Sequence, residues 1–304
     1  MTSRIFPALC CALTIGLTTT TLAACSDTDS ETAQTQTQQP ATPEGVLDSY
    51  TATVGLLAGD MPAAHDANDE EMHEILRIYL EALGKSRAAQ DGAKQDNADQ
   101  DGADQDSAEQ NNAGQDDIAQ ELTGQIGPFI SDDDAKALDK YIEKSGLDRL
   151  VAFDEGNETG IYDMFYYGFI TSLLGSESAT MAEQARAQVS QISPDTIQLD
   201  GEDRAVIPAT TGEGSSAVFV AGEDVEFVRE DGSWRVVIDN ATLSGVAAPT
   251  VMLIGMMAAE SGADVSNSAD PNAIADSLVK SVRELQQKAE AENAGTEGVN
   301  TDAR

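Results

Sequence analysis

Few side chains in this sequence carry reactive potential, and their spacing limits what they could do. The three cysteines are Cys10, Cys11 and Cys25, and the two histidines are His65 and His73. His65, Asp69 and His73 stand at i, i+4 and i+8, a series that on one helix could turn three donors toward a single ion. Asn68 followed by Glu71 has the form of a capping box, however, which starts the helix after His65 and takes that residue off the shared face. No metal site is therefore expected. Ser277-Leu-Val-Lys280 matches S-x-x-K, but neither a K-T-G nor an S-D-N companion is present. Asp99-Gln-Asp101-Gly resembles the opening of a calcium loop, yet the full D-x-[DN]-x-[DN]-G spacing and the closing glutamate are missing. There is no G-x-S-x-G elbow, Walker loop or dinucleotide fingerprint. With 54 acidic residues in 304, paired carboxylates say nothing specific about glycoside hydrolysis. The expectation is a non-catalytic protein with no catalytic residues and no cofactor.

Cys25 is the reactive residue with a context. Arg4 supplies a minimal positive region, Ile5 to Leu17 an apolar run, and Leu22-Ala23-Ala24-Cys25 a small-residue cleavage site ending in cysteine. This stretch resembles the lipobox of bacterial lipoproteins. The resemblance implies that residues 1–24 are a signal peptide and that the Cys25 thiol carries a diacylglycerol, with palmitate-type chains. The protein would then be anchored in the cell membrane on its extracytoplasmic face. No cysteine follows Cys25, so a chain exported to an oxidising space would be using its one thiol for something other than a disulfide.

Composition narrows the partners. Against 54 acidic residues stand 17 basic ones, a formal net charge of -37. Such a surface repels polyanions, so no nucleic-acid partner is expected, and solubility is the simplest use of the charge. Hydrophobic residues make up 40% of the chain, enough for a core of real size.

The elements that must position any site read as follows. Residues 25–43 form a polar tether rich in Thr, Gln and Pro, a composition that is also found in O-glycosylated stalks. Residues 44–89 are a helical segment. Val46, Leu47, Tyr50, Val54 and Leu57 stripe a first helix that ends near Gly59, and Met72, Ile75, Leu76, Tyr79, Leu80 and Leu83 stripe a second that ends near Arg87. In residues 90–119 glutamine recurs every five positions from Gln90 to Gln115, a period that fits neither helix nor strand, and the segment is expected to be a disordered insertion. Residues 120–290 are expected to form an α+β domain, with helices preceding a small antiparallel sheet and C-terminal helices after it.

Within that domain, Ser131 caps a helix opening on Asp132, Asp133 and Asp134 and ending at Gly146. A short helix is expected over Leu147 to Phe153. Ile161 to Leu174 is apolar and aromatic on all sides, and so central and buried. Ser178 to Ile192 is amphipathic. Strands follow at Thr196–Leu199, Arg204–Ile207, Ala217–Val220, Val225–Glu230 and Trp234–Ile238. Asp231-Gly232 reads as a two-residue hairpin loop, placing Arg229 opposite Trp234, Phe227 opposite Val236 and Val225 opposite Ile238. Residues 243–259 are uncharged and apolar, but short for a membrane span and broken by Gly245, Pro249 and Gly255, which favours a buried or surface-docked helix. Asp270-Pro271 starts a last helix, and residues 291–304 are expected to be a disordered tail.

The hairpin sequence VEFVREDGSWRVVID is similar to the closing hairpin of small secreted domains of the nuclear-transport-factor-like (SnoaL-type) family. The similarity covers about 50 residues around 195–240. It implies helices packed on a curved antiparallel sheet and a binding or scaffold role, with an enzyme using an Asp/His pair in the cone as the other possibility. No histidine follows His73 to supply such a pair. Two functions are thus expected ahead of a hydrolase or isomerase. One is an envelope lipoprotein acting as a binding or accessory module for another envelope protein. The other is a carrier of an apolar, lipid-like small molecule in a pocket closed by Phe165, Phe169, Phe227 and Trp234.

Overall fold

The computed structural model describes residues 41–98, 125–154, 156–174, 176–209, 224–261 and 270–297. Helix α1 (Pro43–Leu57) is capped by Thr42, whose hydroxyl accepts from the Gly45 amide, and Pro43 fills the first turn where its missing N–H costs nothing. A four-residue turn of helix, α2 (Pro62–His65), leads to α3 (Asp69–Ala98). The capping box is formed as expected. The Glu71 amide donates to Asn68 Oδ1 and the Asn68 amide to Glu71 Oε2, both at 3.0 Å.

Two helices outrun their expected ends. α3 continues to Ala98, nine residues into the glutamine repeat. Ala, Gln and Lys cost a helix little once a nucleated one reaches them and carry it past the poorer Asp, Gly92 and Asn97, so the repeat can extend a helix it could not start. The rest of the 90–119 segment lies outside the described residues, as do Cys25, the signal stretch and nearly all of the tether.

The chain resumes with a turn of 3-10 helix over Gly127–Phe129 and then α4 (Asp132–Ser145), capped by Ser131 and closed by Gly146 in the left-handed conformation. The expected helix over Leu147–Phe153 is not formed. Leu147–Arg149 makes a 3-10 turn, and Val151–Phe153 becomes strand β1, running parallel to the last strand. Three residues are too few to show a period, and the available sheet edge decides their conformation.

α5 (Gly160–Leu173) and α6 (Ser176–Val189) come between β1 and the other four strands. Pro194–Thr196 is a turn rather than the start of a strand, and β2 (Gln198–Asp200) follows it. β3 (Arg204–Ile207), β4 (Val225–Glu230) and β5 (Ser233–Ile238) complete a five-stranded sheet in the order β1-β5-β4-β3-β2. The sheet is antiparallel from β2 to β5, and the β1 edge makes it mixed. Asp231 and Gly232 both have positive φ, and Arg229 faces Trp234 while Phe227 faces Val236, as the two-residue loop requires. The expected Ala217–Val220 strand lies outside the described residues.

Two long helices close the chain. α7 (Asn240–Ser261) contains the whole 243–259 run with Pro249 in its interior. α8 (Pro271–Glu297) extends past Ala291, and residues 298–304 lie outside the description.

The architecture is α+β, and α1 is its middle element. α1 touches β5, α5 and α6. Its Ser49 hydroxyl donates to the Trp234 carbonyl at 2.6 Å, and Val46, Val54 and Leu57 are fully buried. The 44–89 segment is thus part of the same core as the sheet, because α1 packs on β5 and the buried residues of α1, α3 and the sheet form one cluster.

Candidate functional site

The aromatic residues expected to line an apolar pocket are all buried, and their ring contacts form two groups, one around Phe165 and Phe169 and one where Phe227 meets α1. Phe165 and Phe169 of α5 stack tilted, with ring centres 5.6 Å apart. Phe165 also meets Tyr166 at 5.5 Å, and Tyr166 meets Tyr79 of α3 edge-on at 4.8 Å. Phe227 instead meets Tyr50 of α1 edge-on at 5.7 Å, and Trp234 sits beside α1 through the Ser49 hydrogen bond. These spacings are those of rings in mutual contact.

α5 also carries a polar group that the sequence reading passed over. Asp163 is only 4% exposed and accepts two backbone hydrogen bonds, from Ile126 N at 2.8 Å and Gly127 N at 3.2 Å. Burial pushes its carboxyl up to about 6, and the two amides offset part of that rise. The carboxylate clasps the backbone at Ile126 and Gly127, at the start of the 3-10 turn before α4. Gly127 fits there because a Cβ would collide with the Thr159 carbonyl oxygen. A single acid inside IYDMFYYGFI is a readable signal, since an apolar helix tolerates a carboxylate where backbone amides meet it.

His65 and His73 point to different neighbours. His65 Nε2 lies 3.8 Å from Asp60, whereas His73 Nε2 lies 3.3 Å from Asp276 on α8. Among the described residues, no group of three or more His, Cys, Asp and Glu side chains could hold a metal ion. His73 lines a cleft of about 560 Å³ between the start of α3 and α8, with Asp69, Glu70, Asp276, Val279, Lys280 and Arg283. Both of its fixed cations have carboxylate partners. The Arg283 guanidinium donates to Asp69 Oδ1 at 2.6 Å and to the Ala67 carbonyl at 2.9 Å, and Lys280 Nζ lies 3.8 Å from Glu284. Ser277, the serine of the S-x-x-K match, sits on α8.

A second polar cluster ties α3 to α4. Glu74 Oε2 accepts from Tyr141 at 2.8 Å and from Lys140 at 3.0 Å. Partial burial would raise the Glu74 carboxyl, but these two donors bring it below the usual range. Arg77 bridges Glu81 at 2.7 Å and Asp134 at 3.2 Å. Such pairs fix helix register, and each is partly exposed and screened by solvent.

The remaining surface feature is α7. Its stretch Asn240–Ala259 is long and apolar enough to cross a membrane by length and composition, and half of it is buried against the fold. Leu243, Val246, Ile254 and Met257 face the core, whereas Met252 and Met256 are 65% and 49% exposed. Comparison with protein-family models, curated proteins and solved structures gave no match.

Proposed function

We propose that this chain is an extracytoplasmic lipoprotein, held to the cell membrane through acylated Cys25 and presenting its α+β domain as a non-catalytic binding or accessory module. The observation that carries the proposal is Leu22-Ala23-Ala24-Cys25 at the end of an apolar run, with no cysteine after it. A module reading is supported by where the titratable groups are spent. Asp163 is engaged by backbone amides, and both histidines and Arg283 are paired with carboxylates on neighbouring segments. A module is favoured over an apolar carrier by the contact-distance stacking of the rings in both groups.

Cys25→Ser is expected to abolish incorporation of labelled palmitate and to release the protein from the membrane fraction into the medium. Retention of unacylated Cys25→Ser protein in the membrane would mean that the uncut signal or residues 243–259 hold it there, whereas failure of the natural chain to incorporate labelled palmitate would overturn the lipoprotein assignment.

A further inference from the structure

The exposed side of α7 differs from the rest of this acidic molecule. Asn240 to Ala259 contains no charged residue. Ala241, Gly245, Pro249, Met252, Met256 and Ala259 are exposed at three- and four-residue steps, and so share one face. The outward sides of α4 and α8 carry charge instead, with Asp133, Lys136 and Glu143 on one and Lys280 and Glu284 on the other. A soluble protein of net charge -37 gains nothing in solubility from an uncharged helix face crowned by two methionines.

We infer that this α7 face rests on a neutral, zwitterionic lipid surface, with Met252 and Met256 entering the headgroup boundary. The inference builds on the anchor proposed at Cys25. The 17 residues from Ser26 to Thr42 cannot extend beyond about 60 Å, so an acylated chain keeps the domain within that distance of the bilayer. A tether this short gives an effective concentration on the order of mM, at which a weak interfacial contact is populated. Thioether side chains on an uncharged face supply such a contact without the Lys or Arg that anionic lipids would call for. Asp239 and Glu260 at the two ends of the helix disfavour an anionic surface.

A second copy of the chain suits the face less well. A helix of 22 residues is about 33 Å long and offers roughly 300 Å² of contact, short of the roughly 800 Å² per partner of a stable interface. Two molecules of this net charge also repel each other.

The test exploits the single tryptophan, Trp234, which is buried. Met252→Trp protein is reconstituted with its own anchor into phosphatidylcholine vesicles whose acyl chains carry bromine, with Lys136→Trp on α4 as the control. If mass spectrometry shows no lipid on Cys25, the anchor reading fails. The thiol is then coupled to a maleimide phospholipid in the same vesicles, so that the α7 face is tested regardless. Bromolipid should quench the introduced tryptophan of the Met252→Trp protein at least twofold more than that of the Lys136→Trp control, and Met256→Glu added to Met252→Trp should remove the difference. Equal quenching in the two proteins would overturn the inference. So would efficient disulfide pairing between Met252→Cys chains in detergent, which would assign the face to a second copy.

Discussion

Asp163 is the described carboxyl that burial pushes furthest from its ordinary behaviour. Its carboxyl titrates at about 6 in the folded protein, against 3.8 for an ordinary aspartate, because burial penalises the charged form more than the two amides favour it. The folded state therefore holds this proton more tightly than the unfolded chain does. The associated stability is fully present below about pH 4 and is lost as pH rises through about 6, a cost of roughly 3 kcal/mol at pH 7. Asp163→Asn cannot titrate, although its amide group would face one of the two N–H donors. Melting temperatures at pH 5 and pH 7 should therefore differ less for Asp163→Asn than for the natural chain. Parallel pH profiles for the two would show that the buried carboxyl is not the titrating group. At this scale the sequence was only partly legible. The capping pair Asn68–Glu71 and the turn pair Asp231–Gly232 act within four residues, so their chemistry could be read directly. The partners of Asp163 lie 36 and 37 positions away, and nothing local announces them.

Among the elements, legibility followed length. The stripes of α1, α3, α4 and α8 are long enough to show their period and α5 is long enough to read as apolar all round, whereas β1 and α2, of three and four residues, barely exceed one repeat and follow from what they pack against. α3 and the Gly127 turn give opposite expectations for the same substitution. Gly84 lies within α3 with open space where a Cβ would go, so Gly84→Ala should stabilise the protein by roughly 0.5 to 1 kcal/mol through helix propensity alone. Gly127→Ala would set its methyl group against the Thr159 carbonyl and break the Asp163 clasp, and should cost roughly 1 to 3 kcal/mol. Urea unfolding of both variants measures the pair. A stabilised Gly127→Ala would mean that the Gly127 turn is looser than its hydrogen bonds imply.

For the molecule as a whole, deletion of residues 99–119 is expected to leave the melting temperature nearly unchanged. Shortening a connection changes its closure entropy only logarithmically, and the repeat offers little but alanine to bury. A fall of several degrees, read by calorimetry, would assign the repeat a packed role. The α+β class was legible because the hydrophobic period switches from 3.6 to 2 at about residue 196. The packing of α1 against both the sheet and α5 was not, since pairing of elements across the chain leaves no mark on either stripe. That arrangement bears on the order in which the molecule can mature. Ser49 must meet the Trp234 carbonyl 185 residues later in the chain, and Asp69 must meet Arg283 at a separation of 214. The first helices consequently have no stable docking site until most of the polypeptide has emerged from the ribosome. A chain built this way stays uncommitted through most of its synthesis, which is the state that the export proposed for it requires.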